Sequence, residues 1–325
     1  MRLRSHLRHT LWLLGVLLLV PPLQAGSLRS DVLYLLPAET GQLVYIDLKE
    51  ARRSPHYGQL QAQLLPRRFQ HFANFLRSMG TNLEEEIEWL AWVFVPPDGQ
   101  AGERLMGIVE GNFAPERVEQ FFLQQNLPID VYRGQTLFPF GSGVGPQDLF
   151  FSFLDASTAV FGTRASLTLL LETRYGAHDN LLQNETLLAQ LDEVNGRAPI
   201  WAVFDKQYTR YTLAQLIPEA VRFDEFTRVA HRFRHSTLQL HLGREMRIDF
   251  QAWCETAMDA QAFSLLVQTG MFVQRWRLRE ENPELSRVLT NSEVNSVGDR
   301  LQVRLTIEEE DLKKLLARRL FLSGF

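Results

Sequence analysis

Apolar and polar positions along this chain change period several times, and each period predicts a different element. The chain opens with Arg2, Arg4 and Arg8, followed by a short apolar run from Leu11 to Val20. Pro21 and Pro22 end the run, and Leu23-Gln24-Ala25 supplies a small-residue cleavage site before Gly26. That order predicts a secretory signal peptide over residues 1–25, and the apolar run is short for a membrane span. No Cys follows the run, which excludes lipid attachment at a processed N-terminal Cys.

Beyond the signal, the pattern alternates between helix and strand. Gln42 to Leu48 reads as a strand. Leu65, Phe69, Phe72, Leu76 and Met79 recur every three or four residues and line one face of a helix that Gly80 ends. Leu60 and Leu64 belong to a separate short helix, because Pro66 suits only a first turn. Strands follow over Glu88–Val95 and Arg104–Gly111, with the turn signal Pro96-Pro97-Asp98-Gly99 between them. Ala114–Gln125 is helical with Pro115 in its first turn. Short strands at Ile129–Arg133, Gln135–Phe140, Leu149–Leu154 and Ala159–Gly162 precede a helix over Ala165–Arg174.

A polar stretch and a short helix near Leu187–Val194 lead to Asn195-Gly196, where the boundary between two halves is placed. The second half repeats the theme. Ile200–Asp205 is a strand, Leu213–Gln215 and Phe223–Phe233 are helical, and Thr237–Leu242 with Glu245–Cys254 forms a hairpin around Gly243. Helices over Ala257–Leu278 and Pro283–Leu289 precede strands Glu293–Val297 and Arg300–Leu305. Thr306 with Glu309 reads as a capping box that opens a last helix carrying Leu312, Leu315 and Leu316. The expected fold class is α+β in two related halves, residues 26–196 and 197–325, each a mainly antiparallel sheet covered by helices. Val44-Tyr45-Ile46-Asp47 echoes Trp201-Ala202-Val203-Phe204-Asp205 in pattern, and Leu64-Leu65-Pro66 echoes Leu216-Ile217-Pro218, as an internal duplication would. The pattern leaves open whether the halves pack side by side or extend one sheet.

Composition narrows the function classes. Hydrophobic residues at 45% and charged residues at 22% are those of a folded globular protein. The formal net charge of −4 becomes −4 − 3 = −7 once the three signal arginines are removed. That argues against broad nucleic-acid binding, which needs a positive field. Cys254 is the only cysteine, so no intramolecular disulfide can form. Its strand setting predicts a buried, unreactive thiol.

Candidate chemistry is sparse. His231 and His235 stand four apart on a predicted helix, with His241 on the next strand, a spacing that can chelate a metal. No Glu follows the first His, and the interleaved Arg232 and Arg234 would repel a cation. Asp47 and Asp205 end equivalent strands and could meet at a pseudo-twofold axis as an acid/base pair. The alternative for each is a hydrogen bond to the turn that follows. The Gly141–Pro146 loop is Gly-rich but leads to a strand and lacks Lys, so a hairpin connection is favoured over a phosphate cradle. Glu84, Glu85, Glu86 and Glu88 read as a solvated acidic run. The 22 Phe residues suit a packed core, although an apolar ligand cavity would use the same types. Phe321 and Phe325 hint at the end of an outer-membrane barrel, a reading rejected because regular ten-residue strands are missing.

The order of Leu36-Pro37-Ala38-Glu39-Thr40, Arg53-Ser54-Pro55, Gly107-x-x-x-Gly111-Asn112-Phe113, Tyr132-Arg133-Gly134, Phe161-Gly162 and Gly196-Arg197-Ala198 resembles a family of uncharacterised secreted bacterial proteins, a domain of unknown function. The resemblance spans nearly the whole mature chain. It implies a periplasmic protein of Gram-negative-type bacteria and transfers no site.

The functional expectation is an exported, non-enzymatic protein, periplasmic or secreted after cleavage near Ala25. It would act as an interaction or envelope-associated factor on an unknown protein partner, with peripheral contact to the cell envelope and no cofactor. The alternative is a carrier of a lipid or other apolar ligand between helices and sheet. A hydrolytic enzyme is the weakest of the three, because no catalytic constellation is legible.

Overall fold

The computed structural model describes residues 27–64, 77, 83–96, 104–140, 145, 148–216 and 230–317. The signal, most of the helix predicted over Leu65–Met79, most of the Gly141–Pro146 loop, residues 223–229 of the helix predicted over Phe223–Phe233, and the C-terminal phenylalanines lie outside them.

The fold is α+β, built on one antiparallel sheet. Its strands are β1 Gln42–Asp47, β2 Ile87–Val95, β3 Arg104–Gly111, β4 Asp130–Tyr132, β5 Gln135–Phe140, β6 Leu149–Phe153 and β7 Thr158–Thr163 in the first half. In the second half they are β8 Ile200–Phe204, β9 Phe233–Leu242, β10 Met246–Cys254, β11 Glu293–Val297 and β12 Arg300–Ile307. The spatial order is β11-β12-β10-β9-β8-β1-β2-β3-β7-β6-β5-β4. Outward from the middle, β8-β9-β10-β12-β11 follows the same path as β1-β2-β3-β7-β6, and the β5-β4 hairpin is extra. The halves therefore extend one sheet, joined by the β1–β8 ladder from Gln42 opposite Phe204 to Ile46 opposite Ile200.

Helices lie on both faces. The first face carries α1 (Ser30–Leu33), α6 (Arg164–Arg174) and α7 (Glu185–Val194), which bury Leu167, Leu170, Leu187 and Leu191 against Tyr45, Trp89, Ile108 and Trp201. The second face carries α2 (Leu48–Ala51), α3 (Tyr57–Leu64), α5 (Pro115–Gln124), α8 (Lys206–Leu216), α9 (Ala257–Glu281), α10 (Pro283–Thr290) and α11 (Glu309–Ala317); the short α4 (Leu83–Glu86) runs into β2. The core under α5 is built ring on ring. Phe122 meets Phe138 at 4.9 Å between centroids, and Phe138 stacks on Phe151 at 5.2 Å. Gly107 makes room for another ring, since a Cβ there would stand 1.9 Å from Phe161 Cζ. The second-face core also crosses the boundary: Ile46, Leu60 and Leu90 share a cluster with Leu240, Met246, Leu312 and Leu315.

Two local expectations are corrected. His235 belongs to strand β9 and not to a helix, because pairing from Phe233 onward recruits the segment into the sheet. Thr306 caps no helix. It pairs with Arg247 in the sheet, since β12 runs on to Ile307. The capping box stands instead at the start of α9. There the Thr256 side chain accepts from the Asp259 amide, and the Asp259 carboxylate accepts from the Thr256 amide at 3.1 Å.

Candidate functional site: an open sheet face

Asp47 and Asp205 do not meet. In an antiparallel ladder, equivalent strand ends point apart. The Asp47 amide donates to Pro199 O at one end, and the Asp205 amide donates to Gly41 O at the other. Six residues of extended chain separate them, about 20 Å. Each instead caps the helix that follows. Asp47 Oδ1 accepts from the Glu50 amide at 2.7 Å, and Asp205 Oδ1 accepts from the Tyr208 amide at 2.8 Å. Burial holds the Asp205 carboxyl above its ordinary value, against the lowering effect of the Tyr208 and Gln207 amides.

The histidines are also apart. His231 is an exposed turn residue. His235 lies half-buried against Trp253, ring on ring at 4.5 Å. His241 sits six residues along the same strand, about 20 Å from His235. Among the described residues, no three His, Cys, Asp or Glu side chains form a group that could hold a metal. Cys254 is fully buried, and burial, helped by the Asp259 charge, pushes its thiol up to about 12.

The chemistry that the structure does assemble lies on the first face of the second half. Strands β10 and β12 alternate strictly. Met246, Ile248, Phe250 and Ala252 share one face with Leu301, Val303, Leu305 and Ile307, under α9, α10 and α11. The opposite face presents Arg247, Asp249, Gln251 and Trp253 beside Arg300, Gln302, Arg304 and Thr306. The described helices that pack on these strands and on β11 all lie on the other side. The same face is covered by α6 over β3, β7 and β6 and by α7 over β8 and β9.

Asp249 is the hub of this open face. It accepts from Arg304 Nε at 2.7 Å and from Arg247 Nε at 2.9 Å, and His241 Nε2 lies 3.4 Å away. Arg304 reaches on to Glu293 at 3.5 Å, so charge alternates across four residues of three strands. Burial alone would raise the Asp249 carboxyl, but the Arg304 hydrogen bond and the two guanidinium charges hold it below the usual carboxylate range. Burial, seconded by Arg247, lowers His241 despite its carboxylate neighbour. At neutral pH the pair is thus a neutral ring beside a weakly basic carboxylate. Further along, Trp253 is flanked by His235 on one side and by the Arg300 guanidinium, 4.9 Å from its ring, on the other. Arg300 also donates to Gln251 Oε1 at 3.1 Å. The surface offers guanidinium and amide groups to a polar partner.

Burial, with the Arg234 charge, lowers His235 from 6.5 to about 4. A histidine depressed in the folded state stabilises fully above its unfolded value and progressively less as pH falls. The unfolding midpoint is therefore expected to drop between pH 6.5 and 4. His235→Phe, which keeps the ring against Trp253, is expected to flatten that slope. Urea unfolding of both proteins across the window checks this, and equal slopes would contradict it.

Between helices and sheet, Trp201, Tyr45, Phe122, Phe151, Phe233 and Phe263 are fully buried, each against another ring or the helix layer.

No family model matches the chain, and no curated protein matches it. Among solved structures, the chain is similar to the structure of crystal form I of TP0453, with a TM-score of 0.50 and 10% identity over 88% of this chain and 96% of that one. That likeness is one of fold.

Proposed function

We propose that this chain is an exported, non-enzymatic factor that works at the cell envelope by surface contact with a protein partner, and that its open sheet face is the contact. The observation that carries the reading is the asymmetry of the sheet. One face is covered by helices from β7 across to β9, while over β10, β12 and β11 no described helix packs on it, and there it holds a paired charge ladder and a Trp flanked by Arg and His. Half-exposed polar residues held in place by mutual bonds are ready for recognition at small entropic cost. The basic, apolar, small-residue order of residues 1–25 supports export. On this reading the halves are copies of one ancestral unit, which the matching strand order supports.

The test is made in a bacterial host, with the chain behind its own N-terminal segment and a photo-crosslinking residue at Gln302. The protein is expected in the envelope or periplasmic fraction, with a discrete crosslinked species that Arg304→Glu removes while the circular dichroism is unchanged. A cytoplasmic product, or the same crosslinks from a residue placed on the outer side of α6, would overturn the reading.

A further inference from the structure

Helix α9 is apolar on two sides. One side buries Ala260, Phe263, Val267 and Met271 against β10 and β12. The other leaves Met258, Leu265, Phe272 and Trp276 exposed by 79, 59, 60 and 74%. With Ala262 and Thr269 these residues step four, three, four, three, four along the helix, the spacing of a coiled-coil seam. A stripe of this kind on a folded chain marks a contact.

We propose that this stripe is the seam of a twofold dimer, in which α9 packs antiparallel on α9 of a second copy of the chain. The argument is self-complementarity. With the axis at the level of Val267, Met258 faces the partner's Trp276, Ala262 the partner's Phe272 and Leu265 the partner's Thr269. Each large side chain thus meets a smaller or more pliable one, and the symmetry repeats every layer. A parallel pairing would set Trp276 on Trp276 and Ala262 on Ala262, which crowds one end and leaves a gap at the other. The flanks agree. Position 268 comes nearest its own copy across the axis, although the Gln268 amide donates to Val294 O of its own chain at 2.9 Å; Gln261 meets the partner's Arg275 and Asp259 meets the partner's Val273, with no like charges opposed. A lipid surface fits less well. Residues 260–274 hold no charged side chain, whereas a helix lying on anionic headgroups carries basic residues along its length. The three arginines Arg275, Arg277 and Arg279 are followed at once by Glu280 and Glu281. The seam spans about 27 Å, shorter than a standard interface needs, so the dimer should dissociate in the micromolar range, on the order of 1–10 µM.

Sedimentation of the mature chain in detergent-free buffer is expected to show dimer at about 100 µM and mostly monomer well below the dissociation constant. Leu265→Glu, at an exposed position, should weaken association at least about tenfold. A second readout uses geometry. Gln268→Cys lies beside its own copy and should form an interchain disulfide readily, while Gln261→Cys lies about 20 Å from its copy and should not. The native Cys254 is buried and does not compete. A monomer at every concentration, a dimer indifferent to Leu265→Glu, or equal crosslinking at both positions would overturn the proposal. So would a monomer that floats with phosphatidylglycerol vesicles and loses flotation in Leu265→Glu, since the stripe would then serve lipid.

Discussion

Replacing Trp201 with alanine is expected to cost about 3–5 kcal/mol and to unfold both halves in one transition. Trp201 is fully buried on β8, the strand that joins the halves. It stacks on Tyr45, its register partner on β1, at 5.1 Å and 17°. Tyr45 in turn packs at 5.7 Å against Trp89 on β2. Three rings thus cross the seam under the helix layer, so a cavity at Trp201 loosens the contact through which each half stabilises the other. The indole Nε1 sits buried with no acceptor among the described residues. Trp201→Phe removes that unsatisfied donor while keeping a ring against Tyr45, so it should cost under about 1.5 kcal/mol. Urea unfolding followed by far-ultraviolet circular dichroism and by the fluorescence of the remaining tryptophans checks both variants. Two separated transitions would mean that the halves fold independently, and a phenylalanine variant as weak as the alanine one would mean that indole volume alone matters.

Strand and helix order was legible because period is a local property. Arg104–Gly111, Gln135–Phe140 and Glu293–Val297 stand where alternation and turn residues put them. Covered and open faces were also written in the chain. Trp89 to Val95 is continuously apolar, as a strand buried on both faces must be, while Arg247-Ile248-Asp249-Phe250-Gln251-Ala252 alternates, as a strand with one wet face must. That contrast between the central strands and β10 is the signal that could have located the candidate site, and it outweighs the spacing of the histidines. His235 was misplaced because a four-residue spacing says nothing about which element carries it, and ladder pairing with Trp253 decided the matter. The Thr306 capping box failed for the same reason. A cap competes with a strand for the same backbone, and here the partner strand β10 was already present on Arg247. The directions of Asp47 and Asp205 depend on an antiparallel junction between halves, which no local pattern encodes.

Asp249→Asn is expected to destabilise the chain by about 1–2 kcal/mol and to loosen the open face more than the fold. The substitution keeps the shape of the side chain and removes its charge. Arg247 and Arg304, each about half exposed, then face one another beside His241 without the carboxylate between them. Solvent screens the two guanidinium groups, which is why the stability loss stays modest. One Asn nitrogen would also turn a donor toward an arginine donor, so at least one bond is lost outright. The pH dependence gives the cleaner test. A carboxylate held below its ordinary value stabilises the fold above the unfolded pKa of about 3.9, and that contribution vanishes as pH falls through the folded value. The wild type should therefore lose stability below about pH 4 by a step that Asp249→Asn lacks, while the two proteins keep a constant offset near neutrality. Arg304→Gln should give a smaller loss, since Arg247 still holds the carboxylate. If instead Asp249→Asn matched the wild type at pH 7, the ladder would be a solvated surface without fixed geometry. The open face would then lack the pre-set charges on which recognition of a partner rests.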